Sequence, residues 1–291
     1  MEGDRAHPRL RARRAPGRGA GRLLTQGPAP TRRTLARRAL LLGGLAAVAA
    51  APSAVGRLAG ALSRPSLAYE PLAHLPPFRR LALGEFVPAS DATLLGLAAP
   101  STTEWQTAVE AAARDAPCAA LFGGWPENGS LPIAYFASFQ CPYCRVLEPE
   151  LVALVERERG GVRLVHHELP IFGPASELAA RASLAAAAQG RQAAMRARLL
   201  RSGLVTDEGY IRAVAEPLGL DWGRLRRDMR SEAVTRRIET SRALARLLGF
   251  VGTPALVVGR TAVEGRVPRP LLGRVVATER DLLPPCAGAR A

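Results

Sequence analysis

Ile133-Ala134-Tyr135-Phe136-Ala137-Ser138-Phe139-Gln140-Cys141-Pro142-Tyr143-Cys144 is the stretch on which the reading of this chain turns. Ile133 to Phe139 is a mostly apolar run of strand length, which suits a strand buried on both faces. The run leads straight into two cysteines three positions apart. Beyond Cys144 the pattern is helical to about Arg159 and stops at Gly160-Gly161. Pro142 fits the first helical position, where its missing N–H costs nothing. A strand therefore hands over to a helix, and the cysteines straddle the junction.

That placement has a chemical consequence. A thiol at a helix N-terminus lies beside unpaired backbone N–H groups and the positive end of the helix dipole, and both favour the thiolate. In Cys-x-x-Cys motifs the cysteine pKa can fall to about 3.5–7. The thiolate attacks disulfides, and a low pKa also makes it a good leaving group. Cys141, read as lying exposed at the helix start, is the expected nucleophile. Cys144, inside the first turn, is expected to resolve the mixed disulfide. Other uses of the pair fit less well. A structural zinc usually takes four ligands, whereas Cys118 and Cys286 are isolated in sequence. His166 and His167 sit on a predicted strand and point to opposite faces. A purely structural disulfide at this spacing closes only a tiny loop. No metal and no separate cofactor are expected, because the thiols themselves carry the electrons.

Working outward, Val162 to Glu168 reads as a second strand, parallel to the first if the intervening helix is a crossover. Upstream, Ser101-Thr102-Thr103-Glu104 has capping-box spacing. It predicts a helix with Trp105, Ala108, Val109 and Ala112 on one face, ending before Pro117. Residues 175–249 show no strand pattern and read as several helices, broken near Gly190, Gly203, Pro217 and Gly219. The last of them, about 231–248, carries an apolar stripe of Val234, Ile238, Ala245 and Leu248. Ala255 to Val258 and Thr261 to Val263 read as a hairpin turning at Gly259-Arg260, followed by a helix over about 269–282.

Charge and the N-terminal region bear on the compartment. All 40 basic residues are Arg, and the formal charge is +15 over 291 residues. Residues 1–54 hold 11 Arg against Glu2 and Asp4, which leaves +6 for the remainder. There the arginines alternate with acids on predicted helix faces, the pattern of solvated surfaces rather than of a nucleic-acid interface. No nucleic-acid partner is expected. Residues 1–38 are too rich in Arg, Gly and Pro to bury a core. The apolar run Ala39 to Ala51 is 13 residues long, short of the roughly 20 that a spanning helix needs. A basic stretch, a short apolar stretch and small residues together read as an export signal over 1–54. Thr31-Arg32-Arg33-Thr34-Leu35 resembles a twin-arginine signal. The alternative, an uncleaved anchor over Ala39 to Gly56, is interrupted by Pro52. Residues 55–77, with Pro65, Pro71, Pro76 and Pro77, read as a linker, and 78–99 as an N-terminal extension holding a short strand and turn.

The stretch Tyr135 to Cys144 resembles the active-site region of the DsbA-type branch of the thioredoxin superfamily. Pro149 stands five residues after Cys144, where thioredoxin-fold proteins commonly place a helix proline. Val251-Gly252-Thr253-Pro254-Ala255-Leu256 resembles the loop whose proline is cis and faces the active-site disulfide. The helical block between the second strand and that loop lies where this branch inserts its helical domain. The resemblance covers about residues 101–283. It implies an α/β, thioredoxin-like fold in a domain of residues 100–285, with an inserted α-helical domain at about 174–249. It implies a site built on Cys141 and Cys144, supported by Pro142, Tyr143, Thr253 and Pro254, with Thr253 tuning the reduction potential.

The implied function is that of a periplasmic or otherwise exported thiol-disulfide oxidoreductase. It would exchange disulfides with exported protein substrates, most simply donating them to folding chains, and a membrane redox partner would reset the pair. A reductase or isomerase, and a thioredoxin-fold metal-binding chaperone, are the alternatives. The chain departs from the family pattern at one point. Relatives often carry a buried acid six residues before the first cysteine, and here that residue is Tyr135. His166, His167 and Glu168 lie on the neighbouring strand without an assigned role. In an oxidising compartment Cys118 and Cys286 can form a second disulfide; the other reading is a buried Cys118 and a free thiol on the tail.

Overall fold

The computed structural model describes residues 67–81, 87–88, 104–203 and 205–282. Its strands are β1 (Glu70–Pro71), β2 (Arg79–Leu81), β3 (Val87–Pro88), β4 (Leu131–Ala137), β5 (Val162–Glu168), β6 (Gly252–Thr253), β7 (Ala255–Val258) and β8 (Thr261–Glu264). Its helices are α1 (Glu104–Asp115), α2 (Pro117–Phe122), α3 (Pro142–Arg157), α4 (Pro174–Ala186), α5 (Gln192–Arg201), α6 (Glu208–Ala215), α7 (Trp222–Met229), α8 (Glu232–Leu248) and α9 (Arg269–Asp281).

Every residue of β4 is buried, so both of its faces need cover. Alternate side chains supply two different cores, as the period of a strand requires. Leu131, Ile133, Tyr135 and Ala137 pack with Cys141, Cys144, Leu147 and Leu151 around α3, and with Val275 of α9. Ala134 and Phe136 pack on the other side with Leu121 and Phe122 of α2 and Leu244 and Leu248 of α8. The main sheet has the order β1-β2-β8-β7-β4-β5. β5 runs parallel to β4, as the crossover through α3 predicts. β7 runs antiparallel to β4, with Tyr135 opposite Leu256, and β7 and β8 form the predicted hairpin. A separate short pair sets β3 antiparallel to β6, with Val87 opposite Thr253. The fold is thioredoxin-like, with helices on both faces of a mixed sheet.

The block from α4 through the first half of α8 has its own core, including Ala182, Leu199, Ile211, Leu225 and Ile238. Its helices start where local caps allow. Asp207 accepts from the Tyr210 N–H at 2.9 Å, Asp221 accepts from Arg224 N–H at 2.6 Å, and Ser231 accepts from Val234 N–H at 3.3 Å. Each cap satisfies an orphan donor of the first turn. α8 belongs to two cores at once: Val234 and Ile238 face the inserted block, while Leu244 and Leu248 face the sheet.

Two elements differ from the sequence expectation. From residue 67 the expected linker is part of the fold. β2 runs parallel to β8, with Arg79 opposite Thr261, and Leu72, Leu75, Phe78 and Leu81 are buried. The prolines there mark the turn between β1 and β2, which contains a cis Pro76-Pro77 bond. The second difference is α2, a six-residue helix between Pro117 and the loop glycines. The leader over 1–54, the capping residues Ser101 to Thr103, and Cys286 lie outside the described residues. No helix among the described residues is long and apolar enough to cross a membrane.

Candidate active site

Cys141 is the N-cap of α3 and Pro142 its first residue. The backbone at Cys141 is extended, so its sulfur turns back over the first turn and accepts the Cys144 N–H at 3.4 Å. The Cys141 N–H is itself held by Ser138 O at 3.1 Å. Arg145 ties the same turn to the end of the strand by donating to Phe139 O at 3.2 Å. On its other side the Cys141 thiol donates to Thr253 O at 3.3 Å. Thr253 precedes a cis Pro254 in the turn from β6 to β7. The structure thus brings Cys141, Cys144 and Thr253 into one contact set, with Pro142 at the helix start. Tyr143 is half-buried and packs against the core that holds both sulfurs.

Both thiols are free, and both cysteines are 0% exposed. The expected exposure of Cys141 is therefore corrected. The cap geometry folds its sulfur inward between the helix start and Thr253 instead of out into solvent.

The two thiols are unlike in proton affinity. Cys141 is pulled down to about 6, chiefly by its hydrogen bond with the Cys144 side chain. Burial opposes this shift, while the Thr253 side chain and the N–H groups of Cys144 and Tyr143 assist it. Cys144 is pushed well up, first by burial and then by its bond to Cys141 and the charge on Cys141. The pair titrates as a unit, and the first proton leaves from Cys141. At pH 7 a thiol of pKa about 6 is roughly ten parts thiolate to one part thiol. Cys141 is thus the sulfur that ionises first, and Cys144 the one that keeps its proton.

A charged cluster lies one turn along α3. Glu148 bonds His166 Nε2 at 3.0 Å and Arg196 Nη2 at 2.8 Å. Arg196 also pairs with the buried Glu168, which accepts from Ser183 Oγ at 2.7 Å. Burial alone would raise the Glu148 pKa, but the His166 hydrogen bond and the Arg196 charge and hydrogen bond outweigh it and hold the carboxyl at about 2. Arg196 stays charged despite its burial, because Glu168 and Glu148 flank it. Sequence reasoning missed this cluster. Glu148 is four residues from Cys144 and so on its helix face, a signal that was available. Arg196 arrives from α5 through the tertiary fold and leaves no local signal.

His167 lies in the other core. It bonds Leu121 O at 2.9 Å and Ser241 Oγ at 3.3 Å, and burial lowers its pKa to about 4. His166 and His167 thus serve opposite faces of β5, as the strand period requires. Cys118 is disulfide-bonded, with its partner outside the described residues. Among the described residues, no group of three or more His, Cys, Asp or Glu is placed to hold a metal ion.

Comparison with known proteins agrees with this geometry. The model of the DSBA-like thioredoxin domain matches residues 132–275. A thioredoxin-like oxidoreductase from Silicibacter pomeroyi is 39% identical, with 57% of this chain and 98% of that chain covered at a TM-score of 0.53. The thiol-disulfide exchange protein alpha-DsbA2 of Wolbachia pipientis shares the fold at 23% identity and a TM-score of 0.50, covering 61% of this chain and 99% of that one. A curated relative, the Na(+)/H(+) antiporter NhaA 3 of Salinispora tropica, is 31% identical over 135 residues. That match takes in 46% of this chain and only 21% of the antiporter, so the chain spans about a fifth of that protein's length.

Proposed function

This chain belongs to the DSBA-like thioredoxin family, whose members are thiol-disulfide oxidoreductases, and from that premise we propose that it is an exported enzyme of this kind working through Cys141 and Cys144 and donating disulfides to exported protein substrates. The observation that carries the reading is the division of labour between the two sulfurs. Cys141 sits at a helix start with its pKa near 6, and Cys144 is buried and protonated.

In the donating direction a substrate thiolate attacks Cys141 of the Cys141–Cys144 disulfide. The bond between the two cysteines breaks, and its electron pair leaves on Cys144, which then takes up a proton. A second substrate thiolate attacks the substrate sulfur of the mixed disulfide, and Cys141 leaves as a stable thiolate. The substrate gains one disulfide, and the enzyme pair gains two electrons and is reduced. A stabilised Cys141 thiolate favours the reduced pair and so makes the disulfide a stronger oxidant. This supports donation over reduction. Thr253 shapes the thiolate's surroundings, and Pro142, Tyr143 and Pro254 fix the turn structure around it.

The Arg-rich, then apolar, N-terminal sequence supports export, by a twin-arginine or an ordinary secretory signal. A membrane redox partner would reoxidise the pair. The test is the reduction potential of the Cys141–Cys144 couple, measured against glutathione, together with oxidation of a dithiol peptide. A value on the order of −120 mV with peptide oxidation agrees with donation, and one of about −270 mV moves the protein to the reductases. Tightly bound copper or zinc at one equivalent, with no disulfide exchange, would sink the reading altogether.

A further inference from the structure

Departure of Cys144 as a leaving group puts a negative charge on a fully buried sulfur, and an unrelieved charge there is costly. We propose that the Tyr135 hydroxyl is the donor that stabilises the Cys144 thiolate as it leaves or attacks. The proposal rests on the redox reading of the pair given above.

The geometry is specific. Tyr135 shares a face of β4 with Ile133 and Ala137 and enters the core that contains both cysteines. Its hydroxyl is buried and donates to Cys144 O at 3.1 Å. The bond thus ends on the same residue that carries the resolving sulfur, and the Cys144 side chain is among the groups that raise the phenol's pKa. Burial, then the negative charges of Cys144 and Glu148, push the phenol's pKa well up. Tyr135 is therefore a donor that keeps its proton, not a base.

The Ser138 backbone and the Thr253 side chain also favour the Cys144 thiolate, so Tyr135 shares that charge with them, while the nearby acids and histidine are held elsewhere. Glu148 gives its oxygens to His166 and Arg196 and remains a carboxylate down to about pH 2, which makes it a poor proton acceptor. Glu168 is held by Arg196 and Ser183. His167 is bound in the opposite core.

The step balances without a further reagent. When the Cys141–Cys144 bond breaks, its electron pair goes to the Cys144 sulfur, and the Tyr135 O–H turns to that sulfur. The thiolate later takes a proton from water. In reverse, Cys144 gives its proton to water and attacks the mixed disulfide while held by the same O–H. One donor serves both directions, as microscopic reversibility requires.

Tyr135→Phe in the full chain tests this. The substrate is the mixed disulfide of Cys141 with glutathione, and the readout is the rate of glutathione release against pH. A hydrogen bond to a charged group predicts release about tenfold to a hundredfold slower near neutral pH. The pH midpoint of release should rise, while the Cys141 thiolate still titrates near 6, read by its ultraviolet absorbance. Fluorotyrosine placed at position 135 keeps the ring and makes the phenol a stronger donor, so the midpoint should fall. The proposal is overturned if Phe leaves rate and midpoint as in the parent. It is equally overturned if Phe shifts the Cys141 titration together with the release, or if fluorination moves nothing. A parent protein that exchanges no disulfides would instead overturn the oxidoreductase reading, so the two failures are distinct.

Discussion

Between pH 6 and the high pKa of Cys144, the reduced pair holds one proton where two ordinary thiols would hold two. Below about pH 6 reduction of the disulfide consumes two protons, because Cys141 is then a thiol. Above it reduction consumes one. The folded pKa is depressed, so the stabilisation of the reduced form grows as pH rises through 6 and is lost as pH falls through it. The reduction potential should therefore fall by about 59 mV per pH unit below pH 6 and by about 30 mV above it. Equilibration with glutathione over pH 4.5 to 8 measures the break in slope, and a slope that stays near 59 mV across neutrality would contradict the assignment. Much of this was legible at the level of residues. Cys141, Cys144, Thr253 and Pro254 carry local signals, namely spacing, a helix start and a Thr-Pro turn. Glu148 and Arg196 carry none strong enough, because their meaning depends on α3 and α5 meeting.

At the scale of elements, α3 both holds the cysteines and anchors them. Leu147, Leu151 and Leu154 are buried along one side, while Val146 and Val152 are exposed on the other. The buried side lies against β4, so the height of Cys141 above the sheet is set by these leucines. Leu151→Ala should cost about 2–5 kcal/mol, the transfer loss plus the cavity left behind. Urea titration of the reduced protein reads this cost, and a change under 1 kcal/mol would mean that the helix is anchored elsewhere. The strand-to-helix junction was legible because its signals are local and agree with one another. The short strand expected in 78–99 is present as β2, Arg79–Leu81, whereas β1 was not legible, since it is two residues long and sits among prolines that suggest a linker. Only the edge offered by β8 makes them strands. α2 escaped for a similar reason: it is a single six-residue segment, below the length at which periodicity can be read.

The whole molecule is joined at two places that no single element reveals. One is Arg196, which reaches from α5 to Glu148 on α3 and Glu168 at the end of β5. Arg196→Met would leave two carboxylates buried without their cation, and removing one partner of a buried pair costs about 3–5 kcal/mol. Chemical denaturation should show that loss, whereas a loss below 1 kcal/mol would mean that water already solvates the cluster. The other is α8, whose two halves lie in different cores. The inserted block was legible as a run of helices, but its attachment was not, because an apolar stripe does not say which neighbour it faces.

The shared helix has a thermodynamic consequence. Melting the inserted block would strip Val234 and Ile238 of their partners and strain the same helix that roofs the sheet. Neither core can therefore be lost alone at low cost, and the two should behave as one cooperative unit. Calorimetry of the reduced protein should show one heat-absorption peak, with calorimetric and van't Hoff enthalpies equal. Two resolved peaks would mean that α8 breaks at its middle. For a chain of this layout, cooperativity is inherited from one helix that has no other half to retreat to.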